Sequence, residues 1–268
     1  MSSPYPIGFV GHGAPTLGLE KEGPAVEAWR TWGKSLLERH GPPKGVLMLS
    51  AHWLDRATHF GPTRPSGLIY DFYGFPDELY HVAYAAPPAP DLGQRVKDLL
   101  HQAGLRAIES PTRGLDHGAW VPLLHLFPKA DVPVLQVSLS TRVPMKEHLV
   151  LGAALAPLSA EGHFILGSGN ITHNLRAVDF GNRYGDPWDW AKDFDEWAAG
   201  RLDALDLEGL ALWQKEAPEP HRAQPTDDHF TPLLAALSAA KTAGLGTVRY
   251  PHQGFEYGTL SMRSVEFT

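Results

Sequence analysis

Cysteine is absent from all 268 residues. That removes disulfides, thiolate zinc sites and a cysteine nucleophile from consideration. Basic clusters are missing as well, and the net charge is −7. A general nucleic-acid or anionic-membrane binder needs a basic stripe, so neither partner is expected. No apolar run reaches the roughly 20 residues of a bilayer-spanning helix. The segment from Met1 to Pro6 has no basic n-region of a secretory leader. A cytoplasmic protein is expected. Also absent are the HExxH, GxSxG and P-loop motifs, and GxGxxG in its strand–helix context. Metalloprotease, serine hydrolase and nucleotide-binding readings therefore lose their local signatures.

What remains is ordinary globular material, with 43% hydrophobic and 20% charged residues. A chain of this size buries roughly 70–75% of its surface. Continuous apolar runs, read as strands, occur at Ile7 to Val10, Val46 to Leu49, Val132 to Leu139 and Phe164 to Leu166. Between them, helical spacing predicts helices at about Pro24 to Arg39, Asp91 to Ala103 and Met145 to Leu158. A helix rich in tryptophan (Trp188, Trp190, Trp197) and another after Asp228 follow. Strand-like segments at Thr247 to Tyr250 and Leu260 to Phe267 close the chain. Apolar strands alternating with helices predict an α/β fold, with a largely parallel mixed sheet covered on both faces. A single domain spanning 1–268 is expected. The proline-rich stretches Ala85 to Pro90 and Ala217 to Pro225 read as loops within it, the second as a lid.

Fourteen histidines are present, and five stand in punctuated segments next to these strands and helices. They are Gly11-His12-Gly13, Ala51-His52-Trp53, Asp116-His117-Gly118, Thr172-His173-Asn174 and Asp228-His229-Phe230. In open α/β sheets ligands bind beyond the carboxyl ends of the strands, where His12, His52 and His173 would meet. Thr226, Asp227 and Asp228 are candidate helix caps, which predicts His229 in a first helical turn. Asp228 or Asp116 would orient a neighbouring ring. Asp71, Asp77 and Glu78 read equally as site carboxylates and as solvated loop charges. His81, His221 and His252 lie among aromatics or prolines and are secondary pocket candidates. Taken singly, each histidine is more often structural than a ligand. Together they make a metal site and leave the reaction open.

Taken with their neighbours, these segments and one more, around Asp71, form a wider pattern: Gly11-His12-Gly13-Ala14-Pro15, Ser50-Ala51-His52-Trp53, Tyr70-Asp71-Phe72-Tyr73-Gly74-Phe75-Pro76, Gly114-Leu115-Asp116-His117-Gly118-Ala119-Trp120, Gly167-Ser168-Gly169-Asn170 with His173-Asn174-Leu175, and Asp228-His229-Phe230. With the closing Tyr257-Gly258-Thr259-Leu260-Ser261-Met262, the sequence resembles the DOPA 4,5-dioxygenase family of class III extradiol ring-cleaving dioxygenases. The resemblance implies that His12, His52 and His229 bind one divalent metal ion. Fe(II) is expected for turnover, and Zn(II) also suits three histidines. In the wider superfamily the third ligand is often a glutamate. The resemblance further implies that His173 is the acid/base and that His117 assists at the substrate, the first with a pKa near ~6.5. The implied substrates are a DOPA-like catechol and O2, and a homo-oligomer is compatible with the family. A zinc-dependent hydrolase on the same site, or a non-enzymatic Memo-like protein, is the alternative. Many relatives carry a histidine where this chain has Gln224; that position is not a ligand but adjoins the pocket loop.

Overall fold

Strands appear where β-branched and long aliphatic residues run together. The structure is a computed structural model that describes residues 3–140 and 144–268. Its main sheet has eight strands. In spatial order these are Ala107–Glu109, Thr58–Gly61, Val134–Val137, Val46–Ser50, Phe164–Gly169, Ile7–Gly11, Ser264–Phe267 and Val248–His252. The four central strands run parallel, while the last two join antiparallel at one edge. Thr58–Gly61 is antiparallel to Val134–Val137. The sheet is thus mixed with a parallel centre, as the sequence predicts.

Alternate residues of the central strands face opposite layers, as a two-residue period requires. Leu47 and Leu49 join one apolar cluster with helices Pro90–Gln102, Met145–Leu155, Asp189–Asp203 and Thr231–Thr242. Val46 and Met48 join the other, with helices Pro24–His40 and His117–Leu126. Both faces are therefore covered, which is why these strands read as unbroken apolar runs.

Four predicted elements are cut differently. Val132 to Leu139 divides into Val134–Val137 in the main sheet and Leu139–Ser140, which pairs with Leu54–Asp55 in a separate two-stranded sheet. Met145 to Leu158 divides into helices Met145–Leu155 and Pro157–Ala160, because Pro157 has no N–H to continue the first. Leu260 to Phe267 divides into Leu260–Ser261 and Ser264–Phe267. The chain bends there because Ser261 Oγ (2.6 Å) and Arg263 Nε (3.1 Å) both donate to buried Asp195. The helix after Asp228 starts at Thr231, with Phe230 at its cap and no side-chain cap bond. His229 therefore lies in the turn before that helix, not in its first turn. Asp227 serves the turn through its backbone carbonyl, which accepts from the N–H of Thr231 at 3.0 Å.

Helix Thr231–Thr242 lies against Met145–Leu155 so closely that a Cβ at Gly152 would stand 2.1 Å from the Ala235 carbonyl oxygen. Backbone cannot give way cheaply there. Gly152→Ala is expected to lower stability by about 1–3 kcal/mol, the usual cost of overpacking, read as a lower urea midpoint with an unchanged slope. An unchanged midpoint would mean that the two helices are not seated this closely.

Candidate functional site

The parallel pairing sets three strand ends side by side. Gly11 is in register with Gly169, and Ser50 with Ser168. His12 follows the first strand at once and donates its backbone N–H to the Gly169 carbonyl at 2.9 Å. His52 follows the second by two residues. His229 arrives from the far side on its turn. A Cβ at Gly169 would meet the His229 carbonyl oxygen at 2.0 Å, so only glycine lets that turn reach the sheet. The N–H of Asn170 then bonds the same carbonyl at 3.1 Å.

One ligating atom from each of His12, His52 and His229 lies within 4.8 Å of the others. The tautomers follow from the partners. The Ser168 hydroxyl gives its one proton to the Gly118 carbonyl, so His12 Nδ1, 2.9 Å from that oxygen, must be the donor. Asp71 Oδ2 stands 3.3 Å from His52 Nδ1, and Asp228 Oδ2 stands 2.9 Å from His229 Nδ1. Carboxylates accept only, so these nitrogens also carry the hydrogen. Each ring is left with a bare Nε2. His12 Nε2 and His52 Nε2 face each other at 3.1 Å. His229 Nε2 is buried and has no hydrogen-bond partner. Two lone pairs aimed at each other and a third left unpaired are what a shared cation would satisfy. The partnered Nδ1 atoms are the usual outer support of histidine ligands.

Burial keeps His12 and His52 neutral. It pushes both well below the ordinary histidine range, and the neighbouring histidines add to the effect. Asp228 sits next to His229; burial alone would raise its carboxyl, yet the His229 hydrogen bond and charge hold it below the usual carboxylate range. Asp71 behaves alike, with His117 outweighing its burial. Divalent metal ions compete poorly with protons for imidazole, so rings held neutral favour binding.

His117 and His173 complete the cluster. His117 opens helix His117–Leu126, and its Nδ1 lies 2.9 Å from Asp71 Oδ1, so its bare Nε2 is also available. Its ring centroid is 3.9 Å from that of His52. His173 stacks on His229 at 3.5 Å with planes 6° apart. Burial first, and then His229, pushes His173 down to about 2, well under the ~6.5 expected of an open ring. In the free protein it is therefore a neutral acceptor. An anion placed beside it would raise that value again.

The five histidines singled out from the sequence thus gather at one crevice, and His12, His52, His117 and His173 line its cavity of about 530 Å³. Other candidates lie elsewhere. His81, His221 and His252 do not line this cavity, and His252 borders a separate one. Asp77 and Glu78 are exposed in a short helical turn. Asp116 orients no ring. It accepts from Ser50 Oγ at 2.7 Å and caps the helix that presents His117. The segment from Ala217 to Pro225 is not a lid. Ala223 accepts from the His173 N–H at 2.8 Å, and buried Gln224 donates to the carbonyls of Asn170 (2.6 Å) and Ile171 (2.9 Å). It is a prop beneath the His173 loop. The shared role of Asp71 is the feature that residue reading left undecided.

The family model described as the catalytic LigB subunit of aromatic ring-opening dioxygenase matches residues 8–268. The chain belongs to this family. It is 35% identical over 261 residues to a 4,5-DOPA dioxygenase extradiol of Beta vulgaris, covering 97% of this chain and 95% of the relative. It is 34% identical over 279 residues to a 4,5-DOPA dioxygenase extradiol of Escherichia coli K12, covering 99% and 95%. A crystal structure of uncharacterized protein JW3007 from Escherichia coli K12 superposes with a TM-score of 0.80 at 30% identity, covering 98% of this chain and all of that one. The protein is an extradiol dioxygenase with an aromatic substrate and O2, and LigB dioxygenases use a metal. Among the described residues no helix is long and apolar enough to cross a membrane.

Two outcomes are expected. Asp228→Asn frees the tautomer of His229 and should weaken metal affinity about 10–100-fold, measured against a competing chelator; unchanged affinity would remove Asp228 from the site. Separately, the metal-free protein should lose stability as pH falls below ~6.5. Burial lowers His125, His148, His163 and His252 as well as His12, His52 and His173. The unfolded chain therefore binds more protons below its own histidine pKa, and stability is full above it. Urea midpoints between pH 7.5 and 5 would show this; a midpoint that rises on acidification would contradict neutral buried rings.

Proposed function

We propose that His12, His52 and His229 hold one Fe(II) ion, and that the protein opens a catechol ring there with O2. The observation that carries this is the convergence of three Nε2 lone pairs, each fixed by a partner on the opposite ring nitrogen. The relatives are named 4,5-DOPA dioxygenase extradiol, which supports a catechol. Three protein ligands leave coordination positions open for substrate and oxygen. When bound, iron supplies the one-electron chemistry that joins O2 to a closed-shell ring, which zinc with its filled d-shell lacks.

The protein's own groups manage the protons. Catechol hydroxyls are phenols, with an ordinary pKa near ~10, and binding through both oxygens requires their release. His173 enters the reaction neutral and takes one proton as general base; the anion formed beside it favours its charged form. It can return that proton as the O–O bond breaks, and both oxygen atoms of O2 finish in the ring-opened product. His117 holds its Nε2 toward the substrate because Asp71 fixes the other nitrogen. Phe72 stands 5.7 Å from the His117 ring and shields this path from water. Asp71 touches both His52 and His117, so it couples metal support to proton handling.

The test is oxygen uptake by metal-stripped protein reloaded with Fe(II) without air, against a panel of catechols. Stoichiometric uptake with a yellow ring-opened semialdehyde is expected, and zinc-loaded protein should be silent. His173→Ala should keep its metal and lose about 10²–10⁴-fold in turnover, the usual worth of a general base. Undiminished turnover would strip His173 of the role. Product formation without oxygen consumption would replace ring cleavage with zinc hydrolysis.

A further inference from the structure

The walls of the cavity differ from its floor. Above the histidines stand Phe72, Phe75, Leu175, Val178, Phe180 and Leu260, carried by three separate segments. Among the described residues that line it there is no lysine or arginine, and the one carboxylate, Asp71, is already engaged by His117 and His52. Leu175 is 65% exposed and Phe180 85% exposed. Large apolar side chains held open to water at a cavity mouth mark a binding surface. The volume of about 530 Å³ lies in the range of roughly 300–1,000 Å³ that takes drug-sized ligands. One ring with two hydroxyls would leave most of it unfilled.

We infer that the preferred substrate is a catechol carrying an extended, uncharged apolar substituent, which lies along Leu175 and Phe180 with the diol at the histidines. This rests on the catechol reading above and assigns the part of the substrate that the histidines do not contact. An amino-acid side chain such as that of DOPA would bring a carboxylate and an ammonium to a wall that offers no lysine or arginine among its described residues, and would cover less of its exposed carbon than an alkyl chain does.

The experiment is calorimetric binding, without oxygen, of catechol and its 4-methyl, 4-ethyl and 4-butyl derivatives, with DOPA, to the Fe(II)-loaded protein, followed by kcat/KM for each in air. Affinity should rise about fourfold per added methylene, which corresponds to the ~0.8 kcal/mol of one buried CH2. DOPA should bind more weakly than 4-ethylcatechol. Phe180→Ser should flatten the series, and Leu175→Lys should shift preference toward a carboxylated catechol; both positions are exposed, so both variants should fold, as circular dichroism would verify. A flat series, or DOPA bound more tightly than 4-butylcatechol, would overturn the apolar wall while leaving ring cleavage intact. If no catechol binds or is consumed, the catechol reading fails, and this inference with it.

Discussion

The structure depends on keeping imidazoles neutral while burying them close together. Several rings within a few ångströms would repel strongly if protonated, and burial makes each charge costlier still. The protein meets this by giving every ring of the proposed metal set one outward partner for Nδ1: a serine hydroxyl for His12, and carboxylates for His52 and His229. That arrangement settles the tautomers and turns each Nε2 inward. It also leaves a free-energy deficit at the centre, since His229 Nε2 has no partner. A cation removes the deficit, so the same feature that destabilises the metal-free site strengthens metal binding.

Such a cluster needs a scaffold that does not relax. Parallel strands supply it, because their ends are fixed by ladders that extend through the whole sheet. The register of Gly11 with Gly169, and of Ser50 with Ser168, sets the spacing of His12 and His52. His229 is positioned less directly, through backbone contact with Gly169 and Asn170 and through the helix that follows it. Gln224 then ties the proline-rich segment to the loop that leads to His173. The Gln224 amide performs a structural task, donating to the carbonyls of Asn170 and Ile171. An amide can make both bonds at once without ever being charged.

Much of this was legible in the sequence because strand ends are. Apolar runs that stop at glycine locate His12 and His173 at the rim, and the order of strands and helices gives the layers. What was not legible has physical reasons. Asp71 sits in a stretch of irregular backbone, so no periodicity tells a solvated charge from one turned inward to two rings. The Ala217 to Pro225 segment has the composition of a mobile loop, yet its fixity comes from hydrogen bonds made by Gln224 and by the backbone carbonyl of Ala223, neither of which composition reveals. His229 fell outside the helix because Pro232 fits equally well at the first or second helical position, and tertiary contact with Gly169 decided between them.

The division between floor and walls of the cavity follows from the same topology. The floor is made by strand ends, which are rigid and deep, and holds the groups that must be placed to fractions of an ångström. The walls come from loops: Phe72 and Phe75 from one, Leu175, Val178 and Phe180 from another. Loops tolerate replacement without disturbing the sheet. Reaction type and substrate shape are therefore set by different parts of the chain. At 35% identity, a relative has room to differ in its walls. On the proposed catechol reading, the diol belongs at the floor, where the histidine lone pairs lie, and whatever else the ring carries meets the loop residues of the walls.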